Sequence, residues 1–474
     1  MRALASCLLA AAACAPSVPD DRPSFLLVVL DTLRADAVSA YGSVDGTTPH
    51  IDALAAEGLR YERAFAPAPW TLPSHATLFT GVEPEQHGVG IAGRMVLPEG
   101  PPTLAERLGA AGYETVGFSE NPLVAAQFGM ARGFDHFEGE LGVSMYRARG
   151  RPDSIFDVVL GVSAWADQRD ARRPFLVFVN LFGVHDPYEI EEDHLFLPPG
   201  VGVERAALVR TGGPSKGIAE VAGICDRLPT REELAIVRAL YLGGVAAADA
   251  TLAAIQRALE KAAGDAPLVT IVTSDHGEHL GENRLLGHEF SLHNEVLRVP
   301  LVVHGLPGVT PATISTPVGL GDIAPSILAW AGIETRATLP VAATAAGAGD
   351  RGRALVSVFS DAGWVPPEGG SSKHGEVMIR RRRGCGPADR VFGDMASIID
   401  FPWKLIWYRN NSPQLFDLSW DRRERSNVAE HHPEIVTRLT NELAPLRAQM
   451  AQQGDASPLE PTASETLRAL GYIE

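Results

Sequence analysis

Cysteine is scarce in this chain, with four among 474 residues, at positions 7, 14, 225 and 385. No two stand at zinc-finger or CxxC spacing, which excludes a metal site built on thiolates. Cys225 and Cys385 are left either bonded to each other in an oxidising compartment or as free buried thiols. Positive charge is also in short supply. Lysine and arginine total 41 against 58 acidic residues, a formal net charge of −17, so the chain lacks the basic face with which a nucleic-acid binder neutralises phosphates. The short run Arg380 to Arg383 reads as a solvated surface. No internal repeat of fixed period is present, which excludes solenoids and propellers built from recurring units.

What is present is an ordinary globular composition, 45% apolar and 21% charged. Residues 1–14, MRALASCLLAAAAC, carry one early Arg, then an apolar run of Ala and Leu, then small residues before Cys14. That run is too short to span a bilayer as a permanent helix and is expected to be an export signal. Ala11-Ala12-Ala13-Cys14 has the form of a bacterial lipobox, although the Leu usual three residues before the Cys is missing. The expectation is a lipoprotein acylated at Cys14 and anchored in a bacterial envelope, with plain periplasmic or secreted export as the alternative. Residues 15–23 would then be a polar tether, and the anchor would be the protein's one membrane contact.

Residues 25–30, FLLVVL, form a continuous apolar run expected to be a strand buried on both faces, and the run ends in Asp31. Residues 174–182 contain FLVFVNLF and lead to His185-Asp186-Pro187-Tyr188. Residues 268–273, LVTIVT, lead to Ser274-Asp275-His276-Gly277-Glu278. A further strand is expected at residues 299–304, and a long Ala- and Leu-rich helix at 234–262, interrupted near Gly243 and Gly244. Strands alternating with helices argue for an α/β fold with a mostly parallel sheet, which places its chemistry at the carboxyl ends of the strands. Residues 24–340 are expected to be the catalytic domain, 341–375 an Ala-, Gly- and Pro-rich boundary, and 376–474 a smaller C-terminal subdomain. Residues 197–229 read as a long loop or insertion over one face.

The reactive centre is placed at residues 66–81, APAPWTLPSHATLFTG. Pro73 suits the first turn of a helix that continues through Thr80, so Thr71 falls at the helix N-terminus. There, unpaired N–H groups and the positive end of the helix dipole favour an anion. A hydroxyl in that place is either an ordinary N-cap or a nucleophile that attacks one. Asp31, His185 and the Asp275-His276 pair are groups of the kind that bind a divalent cation, and four histidines crowd residues 276–293.

Taken together, these blocks resemble the sulfatase family of the alkaline-phosphatase superfamily, from Phe25 to about Gly332 with a weaker echo to the end. The family motif of Cys or Ser, any residue, Pro, Ser, Arg, then a helix ending in Thr-Gly is similar to Thr71-Leu72-Pro73-Ser74-His75 continuing to Thr80-Gly81. Arg298-Val299-Pro300-Leu301, Asp322 to Ser326 and Leu415-Phe416-Asp417-Leu418 resemble further family blocks. The resemblance implies an alkaline-phosphatase-like three-layer sandwich around a large, mostly parallel central sheet, with a smaller C-terminal α+β unit.

The chain departs from that pattern in ways that change the expected chemistry. Family sulfatases oxidise the motif Cys or Ser to formylglycine. Thr71 would give a ketone, so no formylglycine is expected. Thr32 stands where sulfatases usually carry a second Asp, and His276 replaces the usual Asn. What is left resembles the Thr-nucleophile phosphodiesterases and phosphotransferases of the superfamily. Asp31, Thr71, Asp275 and His276 would hold one divalent metal ion, with Mn²⁺ or Zn²⁺ favoured because an imidazole suits borderline metals, and Ca²⁺ or Mg²⁺ as alternatives. Thr71 would be the metal-bound nucleophile, with His185 and His288 as acid and base, Asn121 binding substrate, and His75, grouped with it, either orienting the nucleophile in place of the motif Arg or structural. His279 and His293 are read as structural. The expected function is hydrolysis or transfer of phosphate or sulfate esters on a small-molecule, glycan or lipid substrate, with phosphoesters favoured by Thr71. Two alternatives stand beside it, a sulfuric ester hydrolase acting without formylglycine and a catalytically silent envelope lipoprotein that binds anionic glycans.

Overall fold

The computed structural model describes residues 22–139, 158–186, 188, 190, 195–211, 229–288, 291–335, 339–342, 352–360 and 393–452. The expected signal, Cys14, Cys225, Cys385 and the run Arg380 to Arg383 lie outside the described residues.

An eight-stranded sheet organises the larger part. Its strands are β1 (Ser24–Leu30), β2 (Leu59–Tyr61), β3 (Glu114–Ser119), β4 (His136–Gly139), β5 (Phe175–Leu181), β6 (Leu268–Thr273), β7 (Leu301–His304) and β8 (Ala312–Ile314). They run in the spatial order β8-β2-β7-β6-β1-β5-β3-β4. The central strands β6, β1, β5 and β3 are all parallel. Only β7 runs against its neighbours, β6 and β2. β1 is buried along its whole length, as a continuous apolar run requires when both faces of a sheet are covered.

The two-residue alternation of a strand explains how one run serves two faces. Phe25, Leu27 and Val29 join a core that includes Leu72, Ala76 and Phe79 of helix α1 (Thr71–Thr80). Leu26, Val28 and Leu30 face the other way, into a core with Leu240, Leu252 and Ile255 of helix α2 (Arg231–Ala263). Three layers result. By the same alternation Asp31 and Asn180 fall on the face that α1 covers, and Asp275, just past β6, continues the parity of Val269 and Ile271 on that face.

Helix α2 is continuous where an interruption near Gly243 and Gly244 was expected. Gly244 is glycine because of packing: a Cβ there would stand 2.3 Å from the Gly183 carbonyl oxygen. Its amino end is closed by a reciprocal Thr230–Glu233 capping box. Residues 203–211 of the expected loop form a helix.

The C-terminal unit is a four-stranded antiparallel sheet of β9 (Leu355–Phe359), β10 (Met395–Asp400), β11 (Trp403–Tyr408) and β12 (Asn411–Asp417). β9 lies inside the stretch expected to be a boundary, where the Ala, Gly and Pro of its surroundings hide the alternation of LVSVF. One face of this sheet packs on helix α3 (Pro433–Glu442) through Ile398, Leu405 and Leu439. Its other face, with Phe359, Met395 and Phe416, joins the core on the α1 side of the large sheet.

Candidate active site

The carboxyl ends of the four central parallel strands converge on one buried cluster. Asp31 follows β1, Asn121 follows β3, Asn180 closes β5, and Asp275 and His276 follow β6, with α1 bringing Thr71 and His75 over them. This is the edge at which open α/β sheets carry ligands.

Asp31, Asp275 and His276 are fully buried, and each offers one ligand atom within 4.8 Å of the others. Asp31 Oδ1, Asp275 Oδ2 and His276 Nε2 have no hydrogen-bond partner among the described residues. His276 Nδ1 lies 3.0 Å from the Gly277 carbonyl, which can only accept, so Nδ1 carries the proton and Nε2 presents its lone pair. Nε2 stands 3.2 Å from Asp275 Oδ2. Two lone pairs at that distance repel unless positive charge lies between them, supplied by a second imidazole proton or by a cation. Burial and the Asp275 carboxylate push the Asp31 carboxyl up. Burial also pushes Asp275 up, but the His276 imidazole outweighs it and holds that carboxyl below the usual range. Two buried carboxylates and an imidazole with unpaired acceptor atoms are the donor set of a divalent-cation site, and the residues fit one.

Thr71 is the first residue of α1 and not its cap. Trp70 precedes the helix in extended conformation, and no side chain caps the helix end. The Thr71 hydroxyl is therefore not spent on the helix backbone. Asn121 Nδ2 reaches both Asp31 Oδ2 at 2.6 Å and Thr71 Oγ1 at 3.4 Å, so one amide ties the carboxylate and the hydroxyl together. Asn121 Oδ1 accepts from the Leu123 amide at 2.8 Å, which fixes the flip of the group. Asn121 is thus a link between two site residues.

His75, in the place of the motif Arg, has no exposed surface. Its Nδ1 donates to the Thr71 carbonyl at 3.0 Å and its Nε2 accepts from Asn180 Nδ2 at 3.3 Å. Both ring nitrogens of His75 are thus held by protein, one of them against the Thr71 backbone. Asn180, which sequence reading missed, also donates to Asp31 Oδ2 at 3.3 Å. Its signal was a lone amide inside the apolar run FLVFVNLF. Thr32 directs its hydroxyl to the Val184 carbonyl at 3.2 Å, while its amide donates to Asp275 Oδ1 at 3.3 Å. It does so at φ 59°, a left-handed conformation that a β-branched residue adopts only under tertiary constraint.

His185 and His288 stand together at the side of the cluster. The His288 ring lies 4.4 Å from that of His276 and 5.1 Å from that of His185. His185 is half-buried, stacks on Phe182 at 4.3 Å, and donates through Nδ1 to the Asp186 carbonyl. His288 Nδ1 lies 3.3 Å from Glu278 Oε1, and Tyr188 donates its hydroxyl to the other Glu278 oxygen. Glu278 is a second residue that sequence reading left without a role. His293 lies apart, its Nδ1 donating to Glu424 at 2.8 Å. Burial holds the fully enclosed His279 well below its ordinary pKa, hence neutral.

With this geometry established, comparison with known proteins fixes the family. The family model described as Sulfatase matches residues 23–333. The chain belongs to the sulfatase family. Its relatives include the Delta 4,5-hexuronate-2-O-sulfatase of Bacteroides thetaiotaomicron, 25% identical over 61% of this chain and 63% of that protein. Arylsulfatase K of Rattus norvegicus is 24% identical over 92% of this chain and 81% of that one. Among solved structures, the phosphonate monoester hydrolase of Agrobacterium radiobacter superposes with a TM-score of 0.67 at 24% identity, covering 91% of this chain and 97% of that chain. This likeness shows that the sulfatase-family protein shares the alkaline-phosphatase-like fold. The family's enzymes are hydrolases of ester bonds that bind a divalent metal, and Asp31, Asp275 and His276 form a fully buried ligand group for one here.

Proposed function

We propose that this sulfatase-family protein hydrolyses phosphate or sulfate esters, or transfers their acid group, with the Thr71 hydroxyl as nucleophile. The observation that carries the reading is the uncapped Thr71 hydroxyl, joined through Asn121 to a carboxylate of the buried ligand set. Asp31, Asp275 and His276 would hold a divalent cation, which would neutralise charge on the ester oxygens and acidify the neighbouring hydroxyl, with Mn²⁺ or Zn²⁺ favoured by the imidazole.

The chain's own groups do the rest. Thr71 Oγ1 passes its proton to His185 or His288 and bonds to the phosphorus or sulfur, the bond to the leaving oxygen breaks, and the same histidine protonates that oxygen. The first N–H groups of α1 face the developing negative charge. Water then attacks the phosphorus or sulfur and gives its proton to the other histidine, the bond to Thr71 Oγ1 breaks, and that histidine returns the proton to Oγ1. A threonyl ester has no hydroxyl on the same carbon through which to eliminate, so release needs direct attack at phosphorus or sulfur. Phosphoesters are favoured on this ground.

Sulfatases among the relatives favour a second reading, sulfate-ester hydrolysis without formylglycine. Purified metal-loaded protein assayed on nitrophenyl sulfate, phosphate, phosphodiester and phosphonate substrates decides between the two. Turnover of phosphoesters that Thr71→Ala abolishes supports the proposal. Turnover confined to sulfate supports the second reading, and activity that survives Thr71→Ala sinks both.

A further inference from the structure

A cavity of about 1470 Å³ opens between the large domain and the C-terminal unit, away from Asp31, Thr71, Asp275 and His276. Its walls include Arg34 and Arg238 from the large domain, Arg298 at the start of the segment leading into β7, and Arg422, Arg423 and Arg425 from the turn after β12. The carboxylates on the same walls are largely spoken for. Arg34 pairs with both Asp36 and Glu282 at 2.8 Å, and Arg238 pairs with Asp45 at 3.2 Å. Glu424 is taken by the buried Lys404 ammonium at 2.5 Å and by His293. Among the described residues no carboxylate lies within ion-pair distance of Arg298, Arg422, Arg423 or Arg425, and Asp36, already paired with Arg34, offsets Arg298 only from a greater distance.

Arg298 is the least expected of the four. Its Nε and Nη2 donate to the Glu62 carbonyl at 3.1 and 3.0 Å, which aims the guanidinium while leaving it without a carboxylate at ion-pair distance. Burial and the nearby Arg422 guanidinium push its pKa down, and Tyr41, Asp36 and Glu62 offset only part of that. Two like charges facing one space, neither at ion-pair distance from a carboxylate, are stabilised by an anion that bridges them.

We infer that this cavity is a second anion site, in which Arg298 and Arg422, flanked by Arg423 and Arg425, hold a sulfate or phosphate group. That group could be the free inorganic oxyanion or an ester-linked group on a saccharide. The site is independent of the Thr71 chemistry.

The test is equilibrium dialysis of the full metal-loaded chain against radiolabelled inorganic sulfate, at ionic strength held constant with chloride, beside a defined sulfated disaccharide. Asp31→Asn, which removes anion binding at the metal centre, is expected to retain one sulfate per chain. Adding Arg422→Glu and Arg423→Glu, both exposed positions, is expected to weaken that binding at least about tenfold. A disaccharide that binds more tightly than sulfate and loses the same factor identifies an ester-linked ligand, and equal affinity identifies the free oxyanion. Sulfate binding that Asp31→Asn abolishes, or that the arginine substitutions leave unchanged, overturns the inference. Nitrophenyl ester turnover, measured separately, reports on Thr71 alone.

Discussion

At the scale of single residues, buried groups here are ordered by what they can donate or accept. His87 shows the cost of that ordering. It is buried beneath α1, its Nδ1 accepts from the Val89 amide at 3.0 Å, and its Nε2 must therefore donate to Thr77 Oγ1, also at 3.0 Å. Burial pushes its pKa down to about 3, so the folded protein holds it neutral while the unfolded chain protonates it near its ordinary value of 6.5. The unfolded state then binds more protons throughout that window, and stability falls as pH drops from 6.5 toward 3. Between pH 7 and pH 5 the loss from His87 alone is about 2 kcal/mol. Urea unfolding of His87→Gln should show a shallower acid slope than the native protein, and an unchanged slope would remove His87 as the cause. At the nucleophile, Thr71→Ala is expected to lower kcat/KM by roughly 10³-fold or more without moving the melting temperature by more than a few degrees. A large fall in stability instead would mark Thr71 as a packing residue.

At the scale of elements, the long helix α2 supports the loop that carries His185. Gly244 lies against the Gly183 carbonyl, and Tyr241 on the same helix donates to the Thr32 carbonyl at 3.0 Å while accepting from the Arg34 amide at 2.8 Å. α2 thus braces both the turn after β1 and the turn after β5. Gly244→Ala puts a methyl where a carbonyl already stands, and helix propensity offsets little of the strain. The expected cost is about 1–3 kcal/mol, with a larger fall in kcat than in KM because His185 moves with its loop. Calorimetry and steady-state kinetics check both parts. A variant as stable and as active as the native protein would show that the loop yields freely. Position 244 also marks a limit of sequence reading, because a glycine that ends a helix and one that admits a neighbouring backbone look the same in one dimension.

At the scale of the whole molecule, the C-terminal unit is joined to the large domain by a buried polar knot as well as by apolar packing. Lys404 on β11 has no exposed surface and meets Glu424 at 2.5 Å and Asn294 Oδ1 at 2.8 Å, while His293 and the Asn294 amide hold the other Glu424 oxygen. Lys404→Met leaves Glu424 buried with its main partner gone, at an expected cost of about 3–5 kcal/mol. Lys404→Met combined with Glu424→Gln should recover part of that loss, and absence of any recovery would show that the two do not act as a pair. Metal binding is the second whole-molecule term. A cation that binds only the folded chain stabilises it by about 2.7 kcal/mol at a free concentration one hundred times its dissociation constant. Chelation should therefore lower the melting temperature of the native protein and leave Asp31→Asn unmoved. Equal shifts in the two would place the cation elsewhere.

The sequence by itself determined the apolar runs that become β1, β5 and β6, the polar residues that end them, and the ordered blocks that mark the family. These are local properties, set by alternation, by burial on two faces and by where a run of hydrophobic residues stops. Only the tertiary structure decided that Asn180 and Asn121 share Asp31 and that His75 spends both nitrogens on protein. It alone placed Glu278 behind His288, and it assigned residues 355–359 to a sheet. Each of those outcomes depends on which strands lie side by side and which way their side chains face at the crossing. A hydrogen bond between residues 90 positions apart leaves no periodicity in the chain to be read, because its geometry comes into existence only when the sheet has formed.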